Sequence, residues 1–491
     1  MEPAPPFDGG CTETDPECYH QEDLFYSSFT SRMSTSLENR SVVSLKNLIA
    51  LAGPILLANV ANISVGTIDT IMVGQRSAND LAGVALGASI ALWVSISFTG
   101  MLQGVSPIAG YAFGAKTYRD VGVAHQQSLY LALLFTIPAM LLTRAVDFWV
   151  TLADVTPEVG AITKEYLRYV SWAVPAVLLS RVFTAVNASV SRPAATTLVL
   201  ILAVLLKVPL NALMMDGFGD WAGFGGKGVG IATVLMQWFS LFALAAIWHF
   251  DRYYESMRIT VWERINFAVL GRILRIGVPT GLSIFFEISS FSLMSILIAR
   301  MGTAALGAHQ IVSNLIWLYY DLPLSVGIAG SVLVAQNLGR QDPMASRRAV
   351  WMVMRVAAIL AVVLATGTWL LESQVVALYS KDAVVQQMAL VLLPLGILYH
   401  LADAMQCSSN MLLRGYRITV VPMILHSTLL CGMGLGLGLW FANVLEVGVR
   451  SYWLSMTMAL WIEALILAPF TLIMANRRAG LSWKGTTLTK R

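Results

Sequence analysis

Charged side chains are scarce in this chain: Asp, Glu, Lys and Arg make up 12% of its 491 residues, about half the share usual in soluble proteins. Hydrophobic residues make up 57%, and the mean hydropathy is +0.69. These values exclude a soluble globular protein and indicate a polytopic membrane protein in contact with the lipid bilayer. The net charge of +4 does not indicate a nucleic-acid partner. In a membrane protein, basic residues in the loops set the orientation of the spans.

Cysteine is also rare, with four in the chain. Cys11 and Cys18 lie in the polar N-terminal stretch, and Cys407 and Cys431 lie in apolar segments, which excludes a disulfide framework or a zinc site. Histidines show no metal-ligand spacing, and no cluster of His, Asp or Ser suits catalysis at the membrane interface. We therefore expect no enzymatic activity, no cofactor and no resident metal.

The N-terminal stretch lacks an apolar segment behind a basic start, so no cleavable signal peptide is visible. Residues 1–43 are rich in Pro, Ser, Glu and Asp, which predicts a disordered tail. Met33 is an alternative natural start, and the earlier residues would then be an upstream extension.

Long apolar runs dominate the rest of the chain, and twelve of them have the length of a membrane span. Because the number of spans is even, both termini lie on the same side of the membrane. Most Lys and Arg lie in segments on that side, so we expect a protein of the cytoplasmic (inner) membrane with both termini in the cytoplasm. The predicted spans are 47–73, 81–112, 123–143, 166–190, 194–214, 228–249, 270–299, 305–336, 349–371, 385–412, 420–443 and 452–475.

An internal repeat divides the chain. A constant offset of 225 residues places Pro54 on Pro279 and Gly114 on Gly339, so a helix-interior proline and a glycine ending the second helix recur, as in many transporters. The predicted parts are a disordered cytoplasmic N-terminal tail (1–43), an N-lobe of helices 1–6 (44–250), a cytoplasmic linker (251–268), a C-lobe of helices 7–12 (269–476) and a cytoplasmic C-terminal tail (477–491).

Glu287 lies near the middle of the apolar run 279–299. A charge at the bilayer centre costs roughly 2.5 to 3.5 kcal/mol on insertion scales, so such residues usually face the protein interior and mark an ion or substrate path. A protonated or paired carboxylate that only joins two helices is the alternative. Ser283 and Ser290 share the face of Glu287 and are candidate supporting residues.

The tenth predicted helix presents a second acid, Asp403, on a polar side. With Glu287 and the two serines it predicts an oxygen-rich cavity, which suits a hard cation such as Na⁺; two adjacent carboxylates would also bind a proton. The sequence leaves Na⁺ and H⁺ open. The polar side of this helix comprises Tyr399, His400, Asp403, Gln406, Cys407 and Asn410.

The N-terminal half has its own acid, Asp69, on one face of the first helix with Asn59, Asn62 and Gly66. Helix packing explains the Asn and Gly residues but does not require a carboxylate, so we interpret this face as a cation or proton site. Under the repeat, Glu287 aligns with Asn62, which makes the two halves chemically unequal.

Three further charged residues within the predicted spans need a partner or a role. Lys207 is predicted either to extend towards the membrane surface or to pair with Asp69. Asp321 is predicted to line the cavity of Glu287 or to lie near a helix break at Pro323. Arg181 lies closer to a helix end and is expected to extend towards the surface.

His309 and Gln310 are adjacent polar residues in the eighth predicted helix. Hydrogen bonding across helices is the favoured interpretation for both, ahead of metal binding. Gln310 is retained as a candidate for the substrate cleft.

At these residues the chain resembles the multidrug and toxic compound extrusion (MATE) family, and within it the NorM branch. No single motif is very specific, but their order and spacing are, from about residue 45 to about residue 475. The motifs are GTIDTIMVG with Asp69, SPIAGYAFGAK, PLNAL with Asn211, FFEISSFSL with Glu287, ALGAHQIV, NLGRQD and DAMQCSSNMLLRGYR with Asp403.

The resemblance implies twelve helices in two six-helix lobes around a central cleft, and export of amphipathic, often cationic drugs in exchange for Na⁺ or H⁺. It implies that Asp69 is the N-lobe acid and that Glu287 and Asp403 form the C-lobe cation site. Two residues depart from the pattern. Lys207 replaces an Asn four residues before Asn211 and would compete with an ion at Asp69, and Asp321 replaces an apolar residue.

Three other functions are weighed against this one. A flippase for lipid-linked oligosaccharides of the same superfamily would be expected to have a more basic cleft. An intramembrane transferase would need the polar cluster that the sequence lacks, and a passive channel is disfavoured by the two-lobe repeat. We expect a monomeric antiporter whose partners are lipid and amphipathic small molecules.

Overall fold

The computed structural model describes residues 43–153, 155–259, 262–445 and 447–480. The predicted tails, apart from residues 43 and 477–480, and the question of the start at Met33 lie outside the described residues. The described chain forms twelve helices long and apolar enough to cross a membrane, which confirms the predicted all-α class and the number of spans. They are α1 Leu45–Gly74, α2 Ala78–Gly114, α3 Tyr118–Arg144, α4 Pro157–Ser189, α5 Pro193–Asp216, α6 Gly225–Phe250, α7 Phe267–Ala299, α8 Thr303–Gly339, α9 Pro343–Leu370, α10 Ala383–Gly415, α11 Val420–Asn443 and α12 Arg450–Gly480.

Side-chain caps fix several helix starts. Ser44 accepts a hydrogen bond from the Asn47 amide at the start of α1, and Asp342 accepts one from the Ala345 amide at the start of α9. Each bond satisfies an amide that has no partner within the helix. α4 begins nine residues before the predicted start at 166, because its first turns carry charges that interrupt the apolar pattern.

Two short helices, Val146–Ala153 and Glu372–Tyr379, follow α3 and α9. Residues 146 and 372 are 226 positions apart in the chain, so they correspond within one residue under the repeat. The two halves therefore share short surface helices as well as spans. Pro54 and Pro279 both lie inside helices, and Gly114 and Gly339 end α2 and α8, as the repeat predicts.

The described parts of the predicted linker, residues 251–259 and 262–268, include two defined elements. Arg252–Met257 forms a 3₁₀ helix, and α7 starts at Phe267 because Asn266 caps it. The buried Gln127 side chain of α3 donates to the Arg264 carbonyl (2.9 Å) and accepts from the Asn266 amide (2.8 Å). These bonds join the connection between the halves to α3.

The lobes meet where α2 and α8 end. A methyl group at Gly114 would overlap the Gln336 carbonyl, and one at Gly339 would overlap the Tyr111 carbonyl. Tyr111 and Gln336 correspond under the repeat, so the two contacts are reciprocal. Only glycine permits this close approach of the two backbones.

Candidate ion-coupling sites and central cleft

Three ionisable side chains of α7, α11 and α12 meet inside the C-lobe. The Nε2 atom of His426 lies 3.7 Å from Oε2 of Glu287, and its Nδ1 atom lies 3.0 Å from Oε1 of Glu463. Glu463 is fully buried and His426 is 1% exposed. An imidazole thus lies between two carboxylates within the membrane-spanning bundle, an arrangement that can hold and exchange a proton.

Asp403 and two polar neighbours on α10 surround this group. Asp403 is buried and interacts electrostatically with Glu287, His426 and Glu463. Gln406 donates a hydrogen bond to Glu463 (3.2 Å). Tyr399 is buried, and the charges of all three acids act on it, so α10 contributes three side chains to the cluster.

A local change of helix geometry places His426. Residues Ser427–Gly434 of α11 form a π-helical segment that begins directly after His426. Such wide turns are frequent at functional sites because they re-aim side chains. The segment also brings Cys431 of α11 to α7.

Glu463 and His426 were missed from the sequence. Glu463 lies in the apolar run WIEALILAP, where the rule that singled out Glu287 applies equally. No comparable signal exists for His426, because a single histidine in an apolar run is usually a packed core residue.

The two predicted supporting serines have different surroundings in the structure. Ser290 donates to the Phe286 carbonyl (2.7 Å) and its hydroxyl contacts Sγ of Cys431 (2.7 Å). The Ser283 hydroxyl is buried without a hydrogen-bond partner among the described residues. Glu287 and Asp403, the two carboxylates of the expected cavity, act on each other electrostatically, and the His426 imidazole lies beside Glu287. A cavity that also includes the two hydroxyls stays a prediction.

In the N-lobe, Asp69 already has a cationic partner. The Lys207 ammonium lies 3.1 Å from Oδ1 of Asp69 and donates to the Thr233 hydroxyl (2.6 Å). Asn211 donates to the same Asp69 oxygen (2.7 Å). Lys207 is fully buried, so the ion-pair alternative is confirmed and extension towards the surface is excluded. Asp69 is neutralised within the protein.

The other sequence candidates lie outside these two groups. Asn62 is exposed to the central cleft, Asn410 is half-buried, and Gln310 is exposed. Asp321 is buried, but no charge of the C-lobe cluster acts on it. The helix break expected near it was wrong, since α8 continues through Pro323.

The favoured interpretation of His309 is confirmed. Its Nε2 atom lies 2.8 Å from the Ser295 hydroxyl, which joins α8 to α7 by a hydrogen bond.

A cavity of about 430 Å³ lies between the lobes. It is lined by parts of α1, α2, α4, α5, α6, α8 and α10, and it includes Asn59, Asn62, Gln103, Arg181 and Arg414. No Asp, Glu or Lys is among its lining residues. The expectation that Arg181 extends towards the membrane surface was wrong, because its side chain faces this cleft.

Two six-helix lobes, ionisable groups buried within each lobe and a polar cleft between them define a membrane transporter. The MatE family model matches residues 54–213 and again residues 279–440, and the two matches begin 225 residues apart, at the offset of the internal repeat. The chain belongs to the multidrug and toxic compound extrusion family, in its NorM-like branch. It is therefore a transporter and not an enzyme.

Similar proteins agree with this assignment. A protein of Aromatoleum aromaticum named "Probable multidrug resistance protein NorM" is 33% identical over 80% of this chain and 85% of its own. One of the same name from Neisseria meningitidis serogroup A is 33% identical over 86% and 92%. A structure titled "Outward-facing conformation of a multidrug resistance MATE family transporter of the MOP superfamily" has a TM-score of 0.81 at 17% identity, covering 90% of this chain and 98% of that one.

Proposed function

We propose that this protein is a monomeric multidrug efflux antiporter of the cytoplasmic membrane, with both termini in the cytoplasm. It takes up a cation in the C-lobe and releases amphipathic compounds outward from the cleft. The names of its relatives support the export of drugs. The contact between the ends of α2 and α8 lies at the predicted cytoplasmic side, which fits a cleft that opens outward.

The coupling cation that we propose is H⁺. We choose H⁺ because His426 lies between Glu287 and Glu463. Imidazole and carboxylate groups exchange protons readily, whereas Na⁺ prefers a shell of oxygen ligands.

Coupling follows from the cost of buried charge. Adding a proton lowers the net negative charge of a cluster with three carboxylates, and this reduces the desolvation cost of closing the lobe around it. The two lobes can then move against each other about the contact of α2 and α8, as in alternating access. Asp69, already paired with Lys207, does not need the cation.

Ethidium uptake into inside-out vesicles, which corresponds to export from the cell, tests this proposal under an imposed pH gradient without Na⁺ or a Na⁺ gradient at constant pH. We expect export with the pH gradient, and at least about a tenfold loss of rate in Glu287→Gln and Glu463→Gln because the proton site is lost. Glu255→Gln, at an exposed position of the linker, is the control. Export driven by Na⁺ alone, or full export by both cluster variants, would contradict the proposal.

A flippase for lipid-linked oligosaccharides is the second candidate. The observation in its favour is the cleft, which carries Arg181 and Arg414 and no lining carboxylate. Its test is translocation of a fluorescent polyprenyl-diphosphate sugar in proteoliposomes. Translocation without a pH gradient, together with absent ethidium export, would replace the antiporter assignment.

A further inference from the structure

The central cleft contains two guanidinium groups without a carboxylate partner. Arg414 of α10 is 5% exposed and donates to Oε1 of Gln103 (2.6 Å), while its Nε atom has no hydrogen-bond partner. The Nε atom of Arg181 of α4 is likewise buried without a partner. Among the described residues, no Asp or Glu oxygen lies within 4 Å of either group. The two arginines repel each other, and Glu287 acts on Arg414 only from beyond ion-pair distance.

Two other buried or half-buried cations have a carboxylate partner: Lys207 has Asp69 at 3.1 Å, and Arg192 has Asp251 at 2.7 Å. A buried charge without a counter-ion is costly, and guanidinium groups bind carboxylate, sulfonate and phosphate groups through paired N–H donors. The two cleft arginines are thus placed as a site for an anion.

The walls of the cleft add a second requirement for the ligand. Beside the arginines lie apolar side chains of both lobes, among them Ile96, Val177 and Met411. The volume of about 430 Å³ is within the roughly 300–1,000 Å³ typical of sites for drug-sized ligands. The cavity fits a compact compound with an apolar body and an anionic group.

We propose that the cleft binds amphipathic organic anions, with a sulfonate or carboxylate held between Arg181 of the N-lobe and Arg414 of the C-lobe. This inference rests on the proposed export function and names its substrate class. The bound anion would contact both lobes at once. Because the cleft lining has no carboxylate, substrate and coupling cation do not compete for one acid. Cation binding in the C-lobe is then coupled to substrate release by the movement of the two lobes.

A matched pair of dyes tests the proposal. 8-Anilinonaphthalene-1-sulfonate and N-phenyl-1-naphthylamine share the same rings and differ by the sulfonate. Fluorescence titration of the protein in nanodiscs, with empty nanodiscs subtracted, gives the affinity for each. We expect the sulfonate to bind at least about tenfold more tightly, and Arg414→Gln and Arg181→Gln to remove this preference, because charge-assisted bonds to the anion are lost.

Arg355→Gln, at an exposed position of α9, is the matched control and should keep the preference. Arg414→Lys should retain part of it, which a purely structural role of Arg414 does not predict. Equal affinity of the parent for both dyes, or an unchanged preference in both glutamine variants, would overturn the inference.

Ethidium export separates this outcome from the proposed function. Pumping of ethidium by a parent protein that shows no sulfonate preference leaves the antiporter in place and removes the anion site. Displacement of the sulfonate dye by polyprenyl diphosphate but not by small aromatic sulfonates or carboxylates would also overturn the proposal, by assigning the arginines to a lipid.

Discussion

At the residue scale, the intramembrane charges divide into those satisfied within the protein and those that are not. Asp69 and Lys207 neutralise each other in the N-lobe, whereas Glu287, Asp403, Glu463 and His426 form a group with an excess of acids. The lobes of one fold therefore have different chemistry. The C-lobe group is therefore the site that we propose for the coupling ion.

The N-lobe pair predicts a stability effect that depends on both partners. Asp69→Asn leaves the Lys207 ammonium buried without a counter-ion, which we expect to cost about 3–5 kcal/mol, while the double variant with Lys207→Met recovers most of this loss. The apparent melting temperature of the purified protein measures both. Equal melting temperatures for the single and double variants would contradict the prediction.

Asp147→Asn is the control for that experiment. Asp147 lies in the short helix after α3, outside the spans, and pairs with Lys164 at 2.5 Å. The hydrogen bond and charge of Lys164 hold the pKa of Asp147 below its usual value. Because the pair is exposed, water and salt screen it, and we expect no measurable change in melting temperature.

The sequence indicated a role for some of these charged residues and not for others. The isolated acids Glu287, Asp69 and Asp403 stand out because each interrupts an apolar run, and the same rule would have found Glu463. His426 could not be found in this way, because its role depends on contacts between α7, α11 and α12. The orientation of Arg181 into the cleft was likewise set by how the lobes pack.

At the element scale, the chain between the lobes acts as a structured connector. Gln127 holds it through two backbone groups, and Tyr254 donates to Oδ1 of Asn187 (3.0 Å). The polar composition of residues 251–268 predicts a connection outside the membrane. It could not show that buried side chains of α3 and α4 fix this segment, because those bonds join residues far apart in the chain.

Gln127→Met is expected to loosen this connector. The substitution leaves the Arg264 carbonyl and the Asn266 amide without partners, at a cost of about 1–3 kcal/mol for each buried group. Hydrogen–deuterium exchange should rise at residues 262–267 while α9 remains protected. Gln310→Met, at an exposed position, is the control. Unchanged exchange in the Gln127 variant would show that other contacts hold the segment.

At the scale of the whole molecule, twelve spans and two halves could be predicted because apolar length and a repeat are properties of the chain itself. The arrangement of the lobes could not be. It depends on glycine contacts such as Gly114 against Gln336 and Gly339 against Tyr111. The sequence marked these glycines as helix ends without indicating that they face each other's lobe.

Gly114→Ala and Gly339→Ala should therefore shift the balance of conformations. The added methyl group separates the ends of α2 and α8, so we expect a smaller population with this end closed. This population can be measured with Asn62→Cys, a cysteine placed in the cleft, from the rate at which an impermeant maleimide labels it from the outside. The parent without the added cysteine gives the background.

We expect labelling at least about threefold slower in the alanine variants, which corresponds to a shift of about 0.7 kcal/mol between the states. Gly367→Ala is the matched control, because nothing lies within 4 Å of the added methyl group. Faster labelling in the Gly114 or Gly339 variants would indicate that the contact does not close the cytoplasmic side.

The pairing of Asp69 with Lys207 also limits the electrical work of one cycle. In the proposed cycle the N-lobe is neutral and only the C-lobe carries a proton inward. One elementary charge crossing 100 mV supplies about 2.3 kcal/mol, a concentration ratio of about fiftyfold. Exchange of a proton for a monovalent cation moves no net charge, so the membrane potential contributes nothing. Exchange for an anion moves two charges in the favourable direction, and the potential then drives export of anions far more strongly than export of cations.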